Sequence, residues 1–133
     1  MSEYSLIIEP SDFSPKIYLN PSENKFEISG ESRPENTSKF YSQLISWIDS
    51  LKAFLKVNPS SNKLIFEFRF EYFNSTSAKF ILDFLQNLET VKNQNAGIEI
   101  IIRWHYDKRD EDMHDSGEEF SFLIKLPFEL VGH

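Results

Sequence analysis

From Lys63 to Tyr72 apolar side chains take every second position. Leu64, Phe66, Phe68, Phe70 and Tyr72 share one side, while Ile65, Glu67, Arg69 and Glu71 share the other. That period of two predicts a strand with one buried and one more polar face. On both sides of it the period lengthens. Upstream, Phe40, Leu44, Trp47, Ile48, Leu51, Phe54 and Leu55 fall at offsets 0, 4, 7, 8, 11, 14 and 15, the single apolar stripe of a helix from about Asn36 to Leu55. Ser32, Pro34, Glu35 and Asn36 each offer a way to start it. Downstream, the polar stretch Asn74-Ser75-Thr76-Ser77 opens a second helix with Ala78, Ile81, Leu82, Leu85 and Leu88 on one side and Phe84 widening the stripe; Asn93 to Gly97 ends it.

A strand held between two amphipathic helices implies β–α–β crossovers and parallel strands in the middle of a sheet. The remaining segments fit that frame. Lys16 to Asn20 and Lys25 to Ser29 read as a hairpin around Pro21-Ser22-Glu23-Asn24. Tyr4 to Ile8 is a short strand closed by Pro10, and Ile98 to Tyr106 is the most β-prone run, a central strand. The acidic stretch Asp107 to Glu119 is either a loop or a short exposed helix, and Phe120 to Leu126 is expected as a last edge strand limited by Pro127. The expectation is one α/β domain over residues 1–133, with a mixed sheet, an N-terminal hairpin and two main helices.

Composition narrows the function. Thirteen Phe in a chain that is 40% hydrophobic supply an independent core. With no cysteine there is no disulfide framework, thiolate nucleophile or Cys-based zinc site. A net charge of −7 argues against nucleic acid, whose phosphates are held by Lys and Arg. Met1 to Ser5 lacks the basic and apolar regions of a signal peptide, and no apolar run nears the ~20 residues of a membrane helix. A cytoplasmic protein with neither nucleic acid nor membrane as partner is expected.

Three places could carry chemistry. Asn74, Ser75, Thr76 and Ser77 lie where a strand gives way to the first turn of a helix, and unpaired N–H groups with the helix dipole favour an anion there. A phosphorylated hydroxyl would gain charge-assisted bonds from those groups. The same residues are also the preferred caps, and both roles can hold at once. At the end of the central strand, Trp104, His105, Tyr106 and Asp107 offer a partner-contact patch. His105 and Asp107, two apart, could form an acid–base pair in a small ligand-binding domain or enzyme, but no nucleophile or Gly-rich phosphate loop accompanies them. The carboxylates from Asp107 to Glu119 fail the EF-hand pattern, since a loop begun at Asp110 puts His114 at the third ligand and Asp115 at the glycine. No metal and no cofactor are expected.

Ser14-Pro15-Lys16, Gly30, Pro34-Glu35-Asn36, Tyr72-Phe73-Asn74-Ser75-Thr76-Ser77, Trp104-His105-Tyr106 and Pro127-Phe128-Glu129 occur in the order found in SiaC-like biofilm-regulation phosphoproteins. The chain resembles that family from about Ser14 to Val131, and through it the SpoIIAA-type anti-sigma-factor antagonists of the STAS fold. The resemblance implies a non-enzymatic partner switch in cyclic-di-GMP signalling. A serine/threonine kinase of the histidine-kinase-like ATPase fold phosphorylates such proteins, and a PP2C-type phosphatase reverses it. The unphosphorylated form binds and activates a diguanylate cyclase with a GGDEF domain, or another effector. The implied acceptor is the hydroxyl residue directly after the loop Asn: Ser75 here, where the family usually has Thr, with Thr76 following it. Glu31 and Arg33 also depart from the family, which tends to have a basic and an aromatic residue there.

Overall fold

The computed structural model describes residues 3–133; Met1 and Ser2, part of the amino terminus read above for a signal peptide, lie outside them. Six strands form one sheet in sequence order: β1 (Leu6–Ile8), β2 (Lys16–Asn20), β3 (Lys25–Ser32), β4 (Lys63–Phe73), β5 (Glu99–Tyr106) and β6 (Phe128–Gly132). The first three pair antiparallel, and β3 through β6 pair parallel. Each parallel step is made by a helix: α1 (Thr37–Val57), α2 (Ser75–Gln94) and α3 (Glu111–Leu123).

All three helices lie on one face. Trp47 of α1 meets Phe66 with ring centroids 6.2 Å apart, and Phe84 of α2 meets Phe66 and Phe68 at 6.2 and 6.4 Å. Phe68 stacks on Trp104 at 5.7 Å, and Trp104 meets Phe120 of α3 at 5.4 Å. The inward alternation of β4 thus becomes an aromatic layer under the helices. The opposite face carries an ionic ladder: Glu67 of β4 reaches Arg103 of β5 at 3.2 Å, and Arg103 reaches Glu129 of β6 at 3.2 Å.

Two sequence expectations are corrected. Phe120 to Leu123 belong to α3 rather than to an edge strand, and the last strand begins after Pro127. Met113, Gly117, Phe120 and Ile124 follow a helical spacing and bury against the sheet, so the acidic segment is the solvent side of a third, amphipathic helix. Tyr72 does not continue the inward row of β4: it is 49% exposed. Gly30 pairs with Phe70 and Glu31 with Tyr72, so Glu71 is an extra residue opposite the β3 ladder. Such a bulge reverses the alternation beyond it. Phe73 therefore turns inward, against Phe70, Trp104 and Phe120. Gly30, at φ 105°, supplies the backbone conformation that a side chain disfavours beside this shift.

Candidate functional site

Since β3, β4 and β5 run parallel and a helix follows each, every helix starts at the same carboxyl edge of the sheet. In open α/β sheets ligands and partners favour that edge. The three starts share one device. Asn36 accepts from the Lys39 N–H at 3.0 Å, Asn74 from the Ser77 N–H at 2.8 Å and Asp110 from the Met113 N–H at 3.0 Å. Each side chain satisfies one of the amides that a helix leaves without an internal partner. Among the starts offered for α1, the cap is Asn36.

Only α2 opens on two exposed hydroxyls. Ser75 is its first residue and Thr76 its second, and both side chains face solvent. Asn74 fixes them from three sides. Its side chain caps the helix, its own N–H donates to the Ser32 carbonyl at 3.1 Å, and its carbonyl accepts from the Ala78 N–H at 3.0 Å. Lys79, exposed, follows Ser75 by one helical turn. Ser77, expected in the same loop, is fully buried and unlike its neighbours in chemistry. Its hydroxyl donates to the Ser32 carbonyl at 3.0 Å and accepts from the Ser32 hydroxyl at 2.9 Å. The Ser32 hydroxyl lies 2.6 Å from that of Tyr41, whose pKa burial pushes up to about 12. Sequence reasoning offered Ser32 only as a start for α1 and passed over Tyr41, because their meeting with Ser77 rests on parallel pairing between distant segments. The departures Glu31 and Arg33 pair with each other at 2.8 Å, and the guanidinium lies over the Phe13 ring at 4.6 Å.

The patch expected at the end of β5 divides. Trp104 is fully buried, stacked in the aromatic layer with its Nε1–H donating to the Met113 carbonyl at 3.0 Å, so it offers no surface to a partner. His105 is 5% exposed. Its Nε2 meets Glu67 at 2.6 Å and its Nδ1 meets Nε2 of His133 at 2.8 Å. A carboxylate only accepts, so His105 carries its proton on Nε2 and receives one from His133. Burial lowers its pKa, against the Glu67 hydrogen bond and with help from Arg69 and Arg103. Asp107 turns instead to Arg109, at 2.8 Å, which holds its carboxyl well below the usual carboxylate range. His105 and Asp107 thus do not form an acid–base pair, and only Tyr106 and Asp107 remain for surface contact. A hollow of about 890 Å³ lies over His105, between Arg69, Tyr106, Asp107, Arg109 and His133. On the outer side of α3, ligand atoms of His114, Asp115 and Glu118 come within 4.8 Å of one another. The i, i+4 spacing of His114 and Glu118 was the signal for this, once the segment is read as a helix.

The helix-capped hydroxyl turn thus lies at the carboxyl edge of a one-sided α/β sheet, the edge that partners favour in such folds. The chain belongs to the SiaC family of regulatory phosphoproteins, whose model matches residues 8–133. It is similar to SiaC of Pseudomonas aeruginosa at 28% identity and a TM-score of 0.81, covering 100% of both chains. It also matches a chain in the crystal structure of the Pseudomonas aeruginosa diguanylate cyclase SiaD in complex with its activator SiaC. That match is 29% identical with a TM-score of 0.83, over 96% of this chain and 99% of the other. An uncharacterised protein of Pseudomonas aeruginosa strain UCBPP-PA14 is 29% identical over 128 residues, 96% of each chain. Among the described residues no helix is long and apolar enough to cross a membrane.

Proposed function

We propose that this protein is a cytoplasmic, non-enzymatic partner switch: its unphosphorylated form binds and activates a diguanylate cyclase, and phosphorylation of Ser75 breaks that complex. A serine/threonine kinase of the histidine-kinase-like ATPase fold adds the phosphate, and a PP2C-type phosphatase removes it. The observation that carries this reading is the exposed Ser75 hydroxyl at the first position of α2, directly after the Asn74 cap. A kinase must bring the acceptor hydroxyl in line with a γ-phosphate, which an exposed, fixed turn permits. Once attached, about −1.5 to −2 charges at pH 7 sit where the helix dipole favours them by roughly 0.3–1 kcal/mol. Lys79 lies one turn away as a counter-charge. The domain therefore tolerates the phosphate. A partner surface fitted to a neutral hydroxyl must desolvate the group without neutralising it. The complex of SiaC with SiaD supports a cyclase as that partner.

Phosphosite mapping by mass spectrometry, after incubation with kinase and ATP, tests the assignment. Ser75→Ala should abolish phosphate uptake, while Thr76→Ala should be labelled like the wild type. Phosphate on Thr76 with Ser75 bare would overturn the choice of acceptor. Ser77 should stay unlabelled, since its hydroxyl is fully buried and engaged as both donor and acceptor.

A further inference from the structure

Directly beneath the Ser75 turn, three hydroxyls from three different elements meet inside the apolar layer. Ser32 at the end of β3, Tyr41 in α1 and Ser77 in the first turn of α2 are 0%, 1% and 0% exposed. Their proton order is forced. Ser77 must donate to the Ser32 carbonyl, which can only accept, so the Ser32 hydroxyl donates to Ser77 Oγ. The Tyr41 hydroxyl is then left to donate to Ser32 Oγ, and the chain runs one way, from Tyr41 through Ser32 and Ser77 back to the Ser32 backbone. The same Ser32 carbonyl takes the Asn74 N–H, the residue immediately before Ser75. The ring of Tyr41 packs without its hydroxyl: it is stacked on Phe80 at 5.9 Å and edge-on to Phe40 at 5.2 Å, contacts a Phe would keep. Burying three hydroxyls where apolar groups would pack gains geometry, because fully satisfied buried networks fix one arrangement. Past the bulge at Glu71 the ladder resumes, and Phe73 at the end of β4 pairs with Ser32.

We propose that Tyr41, Ser32 and Ser77 are positioning residues for phosphoryl transfer to Ser75, a one-way hydroxyl relay through which α1 holds the acceptor turn in the geometry the kinase uses. The inference rests on the assignment of Ser75 as the acceptor. With the turn held, the Ser75 hydroxyl is presented in one orientation. With the relay cut, the turn samples several, and fewer encounters are in line for transfer. Two substitutions cut it with little else changed. Tyr41→Phe removes one oxygen. Ser77→Ala removes the hydroxyl but keeps the cap, because Asn74 accepts from the backbone N–H of residue 77.

The test measures phosphorylation kinetics and amide hydrogen exchange on the full chain. Both variants should lose about tenfold in kcat for transfer to Ser75, with KM for the protein substrate near that of the wild type. Amides of residues 75–78 should exchange at least tenfold faster, while those of β5 keep their protection. Acceleration spread evenly over the whole sheet would mean that the hydroxyls merely stabilise the core, and would overturn the relay. So would variants that match the wild type in kcat and in exchange at 75–78. A wild type that takes no phosphate on Ser75 would instead bring down the switch itself.

Discussion

Asn74 bonds through its side chain, its N–H and its carbonyl, and together these fix the residue that follows it. Its side chain caps α2, so Asn74→Ala should lower stability by about 1 kcal/mol. In urea the midpoint should fall while the slope stays unchanged, since the surface exposed on unfolding is the same. Ser75→Ala, at an exposed position, should stay within about 0.5 kcal/mol of the wild type. Equal losses for the two would mean that the Asn74 cap contributes no more to the turn than the Ser75 hydroxyl does. His105 gives a second residue-scale expectation. Its folded pKa is depressed, mainly by burial, so the unfolded chain takes up its proton first. Its contribution is fully present above the unfolded value of about 6.5 and is lost as pH falls from there through the folded pKa. His105→Gln should flatten the melting-temperature profile in that window, and a profile as steep as the wild type's would place the dependence elsewhere. The sequence marked Asn74 and Ser75 because turn chemistry is local. It misjudged Trp104, since a strand end reads alike whether its neighbour is solvent or a helix that only the fold brings up.

The element least legible in the sequence was α3. Its three buried positions are diluted by seven acidic residues from Asp107 to Glu119, and one of the three is a glycine. Gly117 is there because a Cβ would run into the indole of Trp104, whose Nε1–H reaches the Met113 carbonyl one turn earlier. Gly117→Ala should therefore destabilise by about 1–3 kcal/mol through overpacking. Helix propensity alone pulls the other way, favouring Ala by up to ~1 kcal/mol. A rise in unfolding midpoint for this variant would show that α3 does not seat on Trp104. By contrast β4, α1 and α2 were legible nearly to their ends, because long apolar runs of period two and period 3.6 admit few readings. The end of β4 escaped because the bulge at Glu71 is imposed by pairing with β3, which no local pattern records.

At the scale of the whole molecule, sequential parallel crossovers place the helices on one face and all three helix starts on one edge, leaving an ionic ladder on the other face. This arrangement separates the proposed acceptor from the core: a charge added at Ser75, an exposed helix-start residue, lies outside the aromatic layer. Phosphorylation should therefore move the melting temperature little and act on what the edge binds. An unneutralised phosphate in an interface costs on the order of 3 kcal/mol, about a hundredfold in affinity. The most direct measurement is a calorimetric titration of the diguanylate cyclase proposed as partner with the unphosphorylated chain and with the chain phosphorylated at Ser75. Binding by the unphosphorylated form, weakened about a hundredfold or more by the phosphate, is the expected result; equal affinity of the two forms for the cyclase would contradict it.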